Sequence, residues 1–419
     1  MFTLLLAFKS ILNRKFTVML TTLSVALSIM LLIGVERLRI EAHDSFTNTI
    51  SGTDLIVGAR SGSVQLLLYS VFRIGNATNN ISWQTYEDIK KLKQVAWMIP
   101  LSLGDSHHGF RVLGTNQDYF TFYKYGNKRP LEFDQGKSFN DLYDAVIGAD
   151  VAKDLHYDLG KEIVLSHGTG EVSFLQHSDK PFRVVGILKR TGTPVDRTIH
   201  VSLEAIEAIH IGWESGVPMP GEKVNADQTR KINLQPKTIT AALVGLHSKV
   251  AAFRVQRYIN EYPQEPLLAA LPGVALQELW DTMAIAQKAL LAISVLVVLV
   301  GITGMATAIL TSLQERRREM AVLRSVGARP WHIFVLFVGE SAAIMCLAAI
   351  MGLTLLYLVQ WVAQPVIQSQ LGLFIPIHLP STHEMLLLGS AILAGLVVGM
   401  IPAYQAYRYS LADGMTIRV

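Results

Sequence analysis

Four long runs of apolar residues most constrain what this chain can fold into. We predict membrane spans at residues 16–35, 284–313, 333–361 and 384–406, because each run contains an almost uncharged stretch of the about 20 residues that a helix needs to cross a bilayer. Half of all residues are hydrophobic, which is typical of a membrane protein. The sequence therefore predicts a multi-pass α-helical membrane protein.

A charged segment separates the second and third spans. Residues 314–332 contain five arginines, and short loops rich in Arg and Lys stay on the cytoplasmic side of a membrane. Because the chain is predicted to cross the membrane four times, both termini lie on the same side as this loop. Residues 1–15 are then a cytoplasmic or interfacial helix, and residues 407–419 form a cytoplasmic tail.

Apolar residues recur at helical spacing within that charged loop. Met320, Leu323 and Val326 would share the apolar face of a short helix that ends at Gly327, and Pro330 would block its continuation. Glu319 would lie at the rim of that face. Such a helix between two spans predicts a docking surface, whereas charge alone would support a simple topology anchor.

The residues Glu-Arg-Arg-Arg-Glu-Met-Ala-Val-Leu-Arg-Ser-Val-Gly-Ala-Arg-Pro at 315–330 closely resemble the cytoplasmic coupling segment of the MacB/FtsX-type ABC permeases, which include the lipoprotein-releasing permeases. The resemblance implies that this segment binds a groove of an ABC ATPase. The predicted coupling residues are Glu319, Met320, Leu323, Arg324, Val326, Gly327 and Arg329. The end of the chain, residues 401–415, also resembles the family.

Residues 36–283 contain no stretch that could span a membrane, so the predicted topology places them outside the cytoplasm, in the periplasm of a Gram-negative cell. Strand and helix patterns alternate. Strands are predicted at 54–58, 95–101, 110–113, 145–147, 163–165, 182–188, 198–201 and 239–245, and helices follow the candidate N-caps Ser82, Ser202 and Ser248. This order predicts an α+β domain, in which a βαβ porter-like half is split by an inserted β-rich half. Residues 144–152 and 159–163 resemble the periplasmic core domain of the same permeases.

Two segments of this region stand out. Residues 65–72 are apolar but too short to span, which predicts either a buried core helix or an apolar lip near the outer membrane surface. Residues 212–236 form a long loop rich in Pro, Gly and Lys, and such loops are often functional or disordered. This loop is predicted either to recruit a partner or to lack structure.

Helical spacing of Leu276, Leu279, Trp280 and Met283 leads straight into the second span, which predicts one continuous helix. Small residues let membrane helices pack closely. The glycines expected in such contacts are Gly301, Gly304, Gly352, Gly389, Gly395 and Gly399.

Known catalytic motifs are missing from the chain. It contains no GxxxxGK[ST] loop, no GxSxG and no HExxH, so we predict a non-catalytic subunit without a cofactor, with ATP and magnesium bound by a partner ATPase. Glu340 is an acidic residue inside the third span, and such residues are functional candidates; the alternatives are that it reaches the cytoplasmic interface, two to three turns past Pro330, or pairs with a neighbouring helix.

No metal site is predicted. The adjacent His107 and His108 would point to opposite faces of a strand, and they, like His156, His167 and His177, are expected at the surface. The single cysteine, Cys346, is expected to pack between helices.

Two classes of function follow. The first is an inner-membrane ABC permease subunit that transmits ATP-driven motion to its periplasmic domain (mechanotransmission) for export, efflux or extraction of lipoproteins or peptides. The second is a non-transport regulator of a periplasmic enzyme or partner, and a weaker third is a zinc-related transport component. Expected partners are an ATPase dimer, a second or related permease copy, since four spans are few for a transport pathway, and a periplasmic adaptor or substrate-binding protein. The modest net charge of +4 gives no reason to expect nucleic acid.

Overall fold

The structure is a computed structural model that describes residues 15–167, 179–211, 226–371 and 377–408. Its contacts divide the chain into two compact units. One unit contains the long apolar helices. The other is an α+β domain, formed mainly by His43–Met283. Nearly all of the predicted N-terminal helix and C-terminal tail lies outside the described residues, as do residues 212–225 of the loop at 212–236, whose next residues, Ala226–Thr229, form a short helix.

In chain order, the helices are α1 (Lys15–Thr49), α2 (Ser63–Ser70), α3 (Trp83–Lys90), α4 (Asp118–Phe122), α5 (Ala149–Leu155), α6 (Leu203–His210), α7 (Ala226–Thr229), α8 (Ala252–Asn260), α9 (Pro272–Glu315), α10 (Arg317–Ser325), α11 (Pro330–Leu371) and α12 (Thr382–Arg408). The strands are β1 (Leu55–Ala59), β2 (Ile81–Ser82), β3 (Val95–His107), β4 (Phe110–Thr115), β5 (Lys124–Tyr125), β6 (Arg129–Pro130), β7 (Phe133–Gly136), β8 (Asp144–Ile147), β9 (Glu162–Ile163), β10 (Ser166–His167), β11 (Phe182–Leu188), β12 (Thr198–Ser202), β13 (Thr238–Ile239), β14 (Ala241–Leu246) and β15 (Leu267–Ala270).

Four helices, α1, α9, α11 and α12, are long and apolar enough to cross a membrane, which confirms the predicted count of spans. Each helix is longer than its apolar run. In α1 the helix continues through residues 36–49, since this polar stretch contains neither Gly nor Pro to end it. The helix predicted to lead into the second span is also confirmed, because α9 is unbroken from Pro272 to Glu315.

Close packing at small residues holds the apolar helices together. A Cβ atom at Gly352 would lie 2.7 Å from the carbonyl oxygen of Ala26 in α1. Added Cβ atoms at Gly395 and Gly399 would meet side chains of α11, and one at Gly301 would meet Ser28 of α1. The predicted helix contacts are thus confirmed at these four glycines. The same prediction is wrong for Gly304 and Gly389, where an added Cβ has no described neighbour within 4 Å.

A buried ion pair joins the first and last of these helices. The Arg37 guanidinium donates from Nε and Nη2 to both carboxylate oxygens of Glu384, at 2.7 and 2.9 Å, and from Nη1 to Gln360 at 3.2 Å. The Glu384 carboxylate also accepts from the Ser381 N–H at 2.7 Å, while the Ser381 hydroxyl accepts from the Glu384 N–H. One carboxylate therefore caps the start of α12 and holds α1 beside it.

The first half of the α+β domain is a βαββαβ unit. Its four strands lie in the order β15-β1-β14-β3, with every neighbouring pair antiparallel, as in ferredoxin-like folds. Helices α3 and α8 connect the two strand pairs. Their buried residues, such as Tyr86 and Ile259, pack with Leu55 and Val57 on one face of the sheet.

The second half is inserted between β3 and β14. Strand β3 pairs with β14 along its first part and with β4 along its second part, so one long strand serves both halves. The sheet continues in the order β4-β12-β8-β11-β7, with β4–β12 and β8–β11 parallel. The predicted architecture, a βαβ half split by an inserted β-rich half, is therefore confirmed.

Two of the three predicted helix N-caps in this domain are confirmed. The hydroxyls of Ser82 and Ser202 accept hydrogen bonds from the N–H groups of Thr85 and Ala205, as expected of N-caps. The prediction for Ser248 is wrong. Its side chain makes no capping bond, because a 3-10 turn at Lys249–Ala251 precedes α8.

The apolar segment at residues 65–72 belongs to the core of the domain. It lies largely in α2, and Leu66, Leu67 and Phe72 are buried among the core residues of the β1 and β3 strands. The core interpretation is confirmed, and the alternative of an exposed apolar lip is wrong.

The close approach at Gly352 predicts a stability effect. We expect Gly352→Ala to lower the stability of the purified protein by about 1–3 kcal/mol, since the new methyl group meets a backbone oxygen that cannot rotate away. Gly389→Ala is the matched control, and its open surroundings predict no loss. Thermal unfolding in detergent measures both, and equal melting temperatures for the two variants would contradict the packing.

Candidate functional site

The charged loop folds into α10, which ends at Ser325, and Gly327, the predicted end of the helix, lies two residues further on. Gly327 has a φ of +102°, a region that L side chains rarely adopt. Its N–H donates to the Arg324 carbonyl at 3.1 Å, and the Ala328 N–H donates to the Leu323 carbonyl at 3.0 Å. These two bonds form a Schellman motif, so the backbone itself requires a glycine at this position.

The chain then reverses directly into α11. Pro330 is the first residue of α11, a position that its fixed φ suits. The Arg329 N–H donates to Nδ1 of His332 at 3.1 Å, which caps the helix start, while the Arg329 side chain is exposed. Residues 327–332 thus form a tight, hydrogen-bonded corner between α10 and α11.

The outward face of α10 differs from the predicted one. Met320 is only 5% exposed and packs with Leu313, Ile333 and Phe337 in the core of the apolar helices. Its assignment to a docking face is therefore wrong. The physical reason is that α10 itself lies against the ends of α9 and α11, which need an apolar residue on that side. Leu323 is partly buried.

Three apolar side chains of this loop do face outward. Val322 is 56% and Val326 is 83% exposed, and their spacing of four residues puts them on one side of the helix. Trp331, which the sequence reasoning missed, is 61% exposed and stacks on Phe334 at 5.2 Å. Since isolated exposed apolar residues are common, it is the exposure of three of them within residues 322–331 that makes this segment a candidate docking face. We call Val322, Val326 and Trp331 the outward triad.

The charged residues of the predicted coupling set differ in their surroundings. Glu319 is exposed and accepts from Nε of Arg316 at 3.3 Å, whereas Arg324 is partly buried and has its own partners. Of the predicted coupling residues, Glu319, Val326 and Arg329 are therefore exposed, and Leu323 and Arg324 lie at the edge.

Glu340, the acidic residue deep in an apolar run, pairs with the loop. Its Oε2 accepts from Nη1 of Arg316 at 2.9 Å, and both side chains are nearly fully buried. The Arg316 guanidinium also lies over the Phe337 ring, 5.1 Å from its centre. Glu340 therefore anchors the start of α10 to α11. Sequence reasoning missed Arg316, although a buried acid close to five arginines signals that one of them is its partner.

No metal site is found among the described residues. Within the ranges that the structure covers, no three His, Cys, Asp or Glu side chains come together. His177 lies outside those ranges, and the side chain of His167 is not described either.

The expected surface location of His107 is wrong. Its Nδ1 lies 2.7 Å from the Val164 carbonyl and its Nε2 lies 2.9 Å from the Tyr157 hydroxyl, and burial lowers its pKa. His108 is not on the strand at all. Because β3 ends at His107 and the chain reverses, His108 takes a φ of +47°, and the two rings lie 4.4 Å apart rather than on opposite faces.

Cys346 also departs from expectation. It is exposed on the outer surface of α11 and does not pack between helices. Its neighbours Met345 and Ala348 face the core between the helices instead. The rotation of α11 about its own axis therefore decides which of these residues is exposed, and a local sequence pattern does not give that rotation.

Two family models match this chain. One, described as FtsX-like permease C-terminal, matches residues 291–411, and the other, described as MacB-like periplasmic core domain, matches residues 18–255. The chain belongs to the MacB/FtsX-type ABC permeases. The outward triad therefore lies in the segment that connects the second and third long apolar helices of an FtsX-like permease and begins the third.

Relatives of this permease include larger proteins. It is 23% identical to the macrolide export ATP-binding/permease protein MacB of Shewanella oneidensis, in an alignment that covers 76% of this permease and 45% of that protein. It is 24% identical to MacB of Shewanella sp. (strain ANA-3), in an alignment that covers 68% of this permease and 41% of that protein. The permease thus spans less than half the length of these MacB proteins. An uncharacterised ABC transporter permease of Methanocaldococcus jannaschii is 21% identical over 83% of this permease and 81% of that chain.

Two solved structures are similar to part of this permease. The periplasmic region of MacB from Actinobacillus actinomycetemcomitans aligns with 55% of this permease and 94% of that chain, at 12% identity and a TM-score of 0.34. The extracellular domain of YknZ, a noncanonic ABC-type transporter from Gram-positive bacteria, aligns with 52% of this permease and 98% of that chain, at 14% identity and a TM-score of 0.30.

The Arg316–Glu340 pair predicts strongly non-additive mutations. We expect Arg316→Met and Glu340→Met each to lower stability by about 3–5 kcal/mol, because each leaves a buried charge without its partner. The double variant removes both charges and should recover most of the loss. Thermal unfolding of the four proteins in detergent gives the coupling energy, and simple additivity of the two single losses would contradict the buried pair.

Proposed function

We propose that this permease couples ATP hydrolysis by a cytoplasmic ABC ATPase, with its ATP and magnesium, to a conformational change of the α+β domain. This mechanotransmission would serve export, efflux or extraction of lipoproteins or peptides. Membership of the ABC permease family supports a partner ATPase, and the observation that carries the docking role is the exposure of the outward triad at α10 and the start of α11. The α+β domain is then periplasmic, and a second permease copy or a related permease completes the membrane assembly.

The anchoring of α10 supports the transmission of force. Met320 lies in the helix core and Arg316 is paired with Glu340, so a push on α10 acts on α9 and α11 and cannot be absorbed by a loose loop. The Schellman turn at Gly327 stiffens the other end. A rigid attachment of this kind is what a coupling helix needs.

Helix α9 offers a route from the loop to the α+β domain. It runs without a break over 44 residues, about 66 Å at 1.5 Å per residue, and its residues belong to both compact units. In the proposed cycle, closure of the ATPase dimer moves the α10 end of α9, and an unbroken helix carries that displacement along its axis.

The docking proposal predicts the effect of a charge on the outward triad. We expect Val326→Asp to leave the protein folded but to weaken its association with the ATPase at least tenfold, since an interface would bury the carboxylate without a partner. Copurification of the ATPase and ATP hydrolysis in the reconstituted complex measure the loss.

Two further variants make this test specific. Val250→Asp is the matched control, because Val250 is equally exposed but lies on the α+β domain, and it should retain full association. Met320→Asp should instead destabilise the protein itself. Full ATPase binding and activity in the Val326→Asp variant would contradict the docking role, and the arginines would then act only as topology anchors.

The orientation of the chain is a separate prediction from the arginine-rich loop. Reporter fusions after Leu12, near Arg318 and at Val419 should show a cytoplasmic location, because positively charged short loops remain inside. Fusions near Gly148 and at Gln370 should show a periplasmic location. An inverted signal at either of these two sites would overturn the topology on which the proposed function rests.

A further inference from the structure

A small cavity in the α+β domain contains two arginines. Its volume is about 280 Å³, and its lining includes Arg73, Arg111, Asn76, Asn80, Leu103 and Gly104. Among the described residues that line it, none is acidic. The cavity is distinct from the outward triad and shares no residue with it.

The backbone builds this cavity from two sides. After α2, Arg73 takes a φ of +61° and Gly75 a φ of +79°, and these left-handed residues turn the chain back across the end of the helix. On the other side, β3 contains an irregularity, because Leu103 pairs with Leu113 but Ser106 pairs with Arg111. Such bulges interrupt a sheet and often adjoin functional sites.

The bulge also provides space. A Cβ atom at Gly104 would find no heavy atom of the described chain within 4 Å, so this glycine opens the cavity wall. The short turn and the bulge together leave room beside the guanidinium groups.

Both arginines lack a neutralising carboxylate within the described part of the chain. Arg111 donates from Nη1 to Oδ1 of Asn76 at 3.0 Å and from Nη2 to the Gly75 carbonyl at 3.2 Å. Arg73 donates from Nη1 to the Ser70 carbonyl, its buried Nε has no hydrogen-bond acceptor among the described residues, and its charge also acts on the buried Tyr119 hydroxyl, which is neutral. All these acceptors are neutral, so two positive charges share the cavity.

The two charges influence each other. Burial lowers the pKa of Arg111, and the nearby positive charge of Arg73 lowers it further. A like-charge pair that is partly desolvated is unfavourable by itself, and an anion between the two groups would relieve the repulsion.

We propose that this cavity binds a phosphate group, carried by a small phosphorylated molecule or by a lipid headgroup. Two guanidinium groups match the charge of about −1.5 to −2 on a phosphate monoester, whereas a carboxylate would neutralise only one of them. Their fork of N–H donors suits the oxygens of phosphate. The side-chain amides of Asn76 and Asn80 add polar contacts, and Leu103 offers an apolar wall to the carbon part of the ligand.

Titration calorimetry of the full chain in detergent tests the site, with inorganic phosphate and glycerol 3-phosphate as probes. We expect Arg111→Gln and Arg73→Gln each to weaken binding about tenfold or more, since each removes charge-assisted hydrogen bonds. Arg254→Gln is the matched control, because Arg254 is an exposed arginine on α8 of the same domain, and it should bind as the wild type does. Binding should also weaken as ionic strength rises.

Lipid nanodiscs separate the two sources of the phosphate group. Calorimetric binding of glycerol 3-phosphate supports a free ligand, whereas retention only of phosphatidic acid, measured by native mass spectrometry against neutral lipid, supports a headgroup. If Arg73→Gln fails to fold by circular dichroism, Arg111→Gln decides the result. The proposal is overturned if no probe binds in an arginine-dependent way, or if succinate binds as tightly as phosphate.

Discussion

The structure of this permease depends on how charges are kept among apolar helices. A charge that leaves water is costly unless a partner and further hydrogen bonds compensate it. Arg37 and Glu384 form one such pair, and Arg316 and Glu340 form another. The first pair joins helices from opposite ends of the chain, with its partners 347 positions apart, and the second joins the start of α10 to α11, 24 positions away. Close contacts at two glycines set how near other helices approach: Gly352 joins α11 to α1, and Gly399 joins α12 to α11.

The Arg316–Glu340 pair also connects the fold to the proposed function. It fastens the first residue before α10 to α11, and Met320 fastens the next turn to the helix core. The remaining side of α10 is left with Val322 and Val326 exposed. A helix that is held firmly on one side and apolar on the other is suited to receive force from a partner.

The α+β domain shows how one strand can organise two subdomains. Strand β3 completes the four-stranded βαββαβ sheet and then continues as the first strand of the inserted half. The bulge at Gly104 lies where the strand serves the second half, and the cavity with Arg73 and Arg111 is next to it. An insertion that shares a strand thus creates a site that neither half would have alone.

The sequence by itself determined the elements whose causes are local. Apolar runs predicted the four long helices, hydroxyl N-caps predicted the starts of α3 and α6, and Gly327 predicted the end of α10. These features depend on hydrogen bonds and burial within a few residues, which a sequence pattern records. The resemblance of residues 315–330 to the coupling segment also led to the family that the two matching models identify.

Only the tertiary structure decided which side of each element faces a neighbour. Met320 was expected outside and is buried, Cys346 was expected inside and is exposed, and His107 was expected at the surface and is hydrogen bonded in the core. The partners of Glu340 and Arg111 come from other elements as well. A helical period gives the spacing of a face but not its rotation, because the rotation is set by contacts between residues that are distant in the chain.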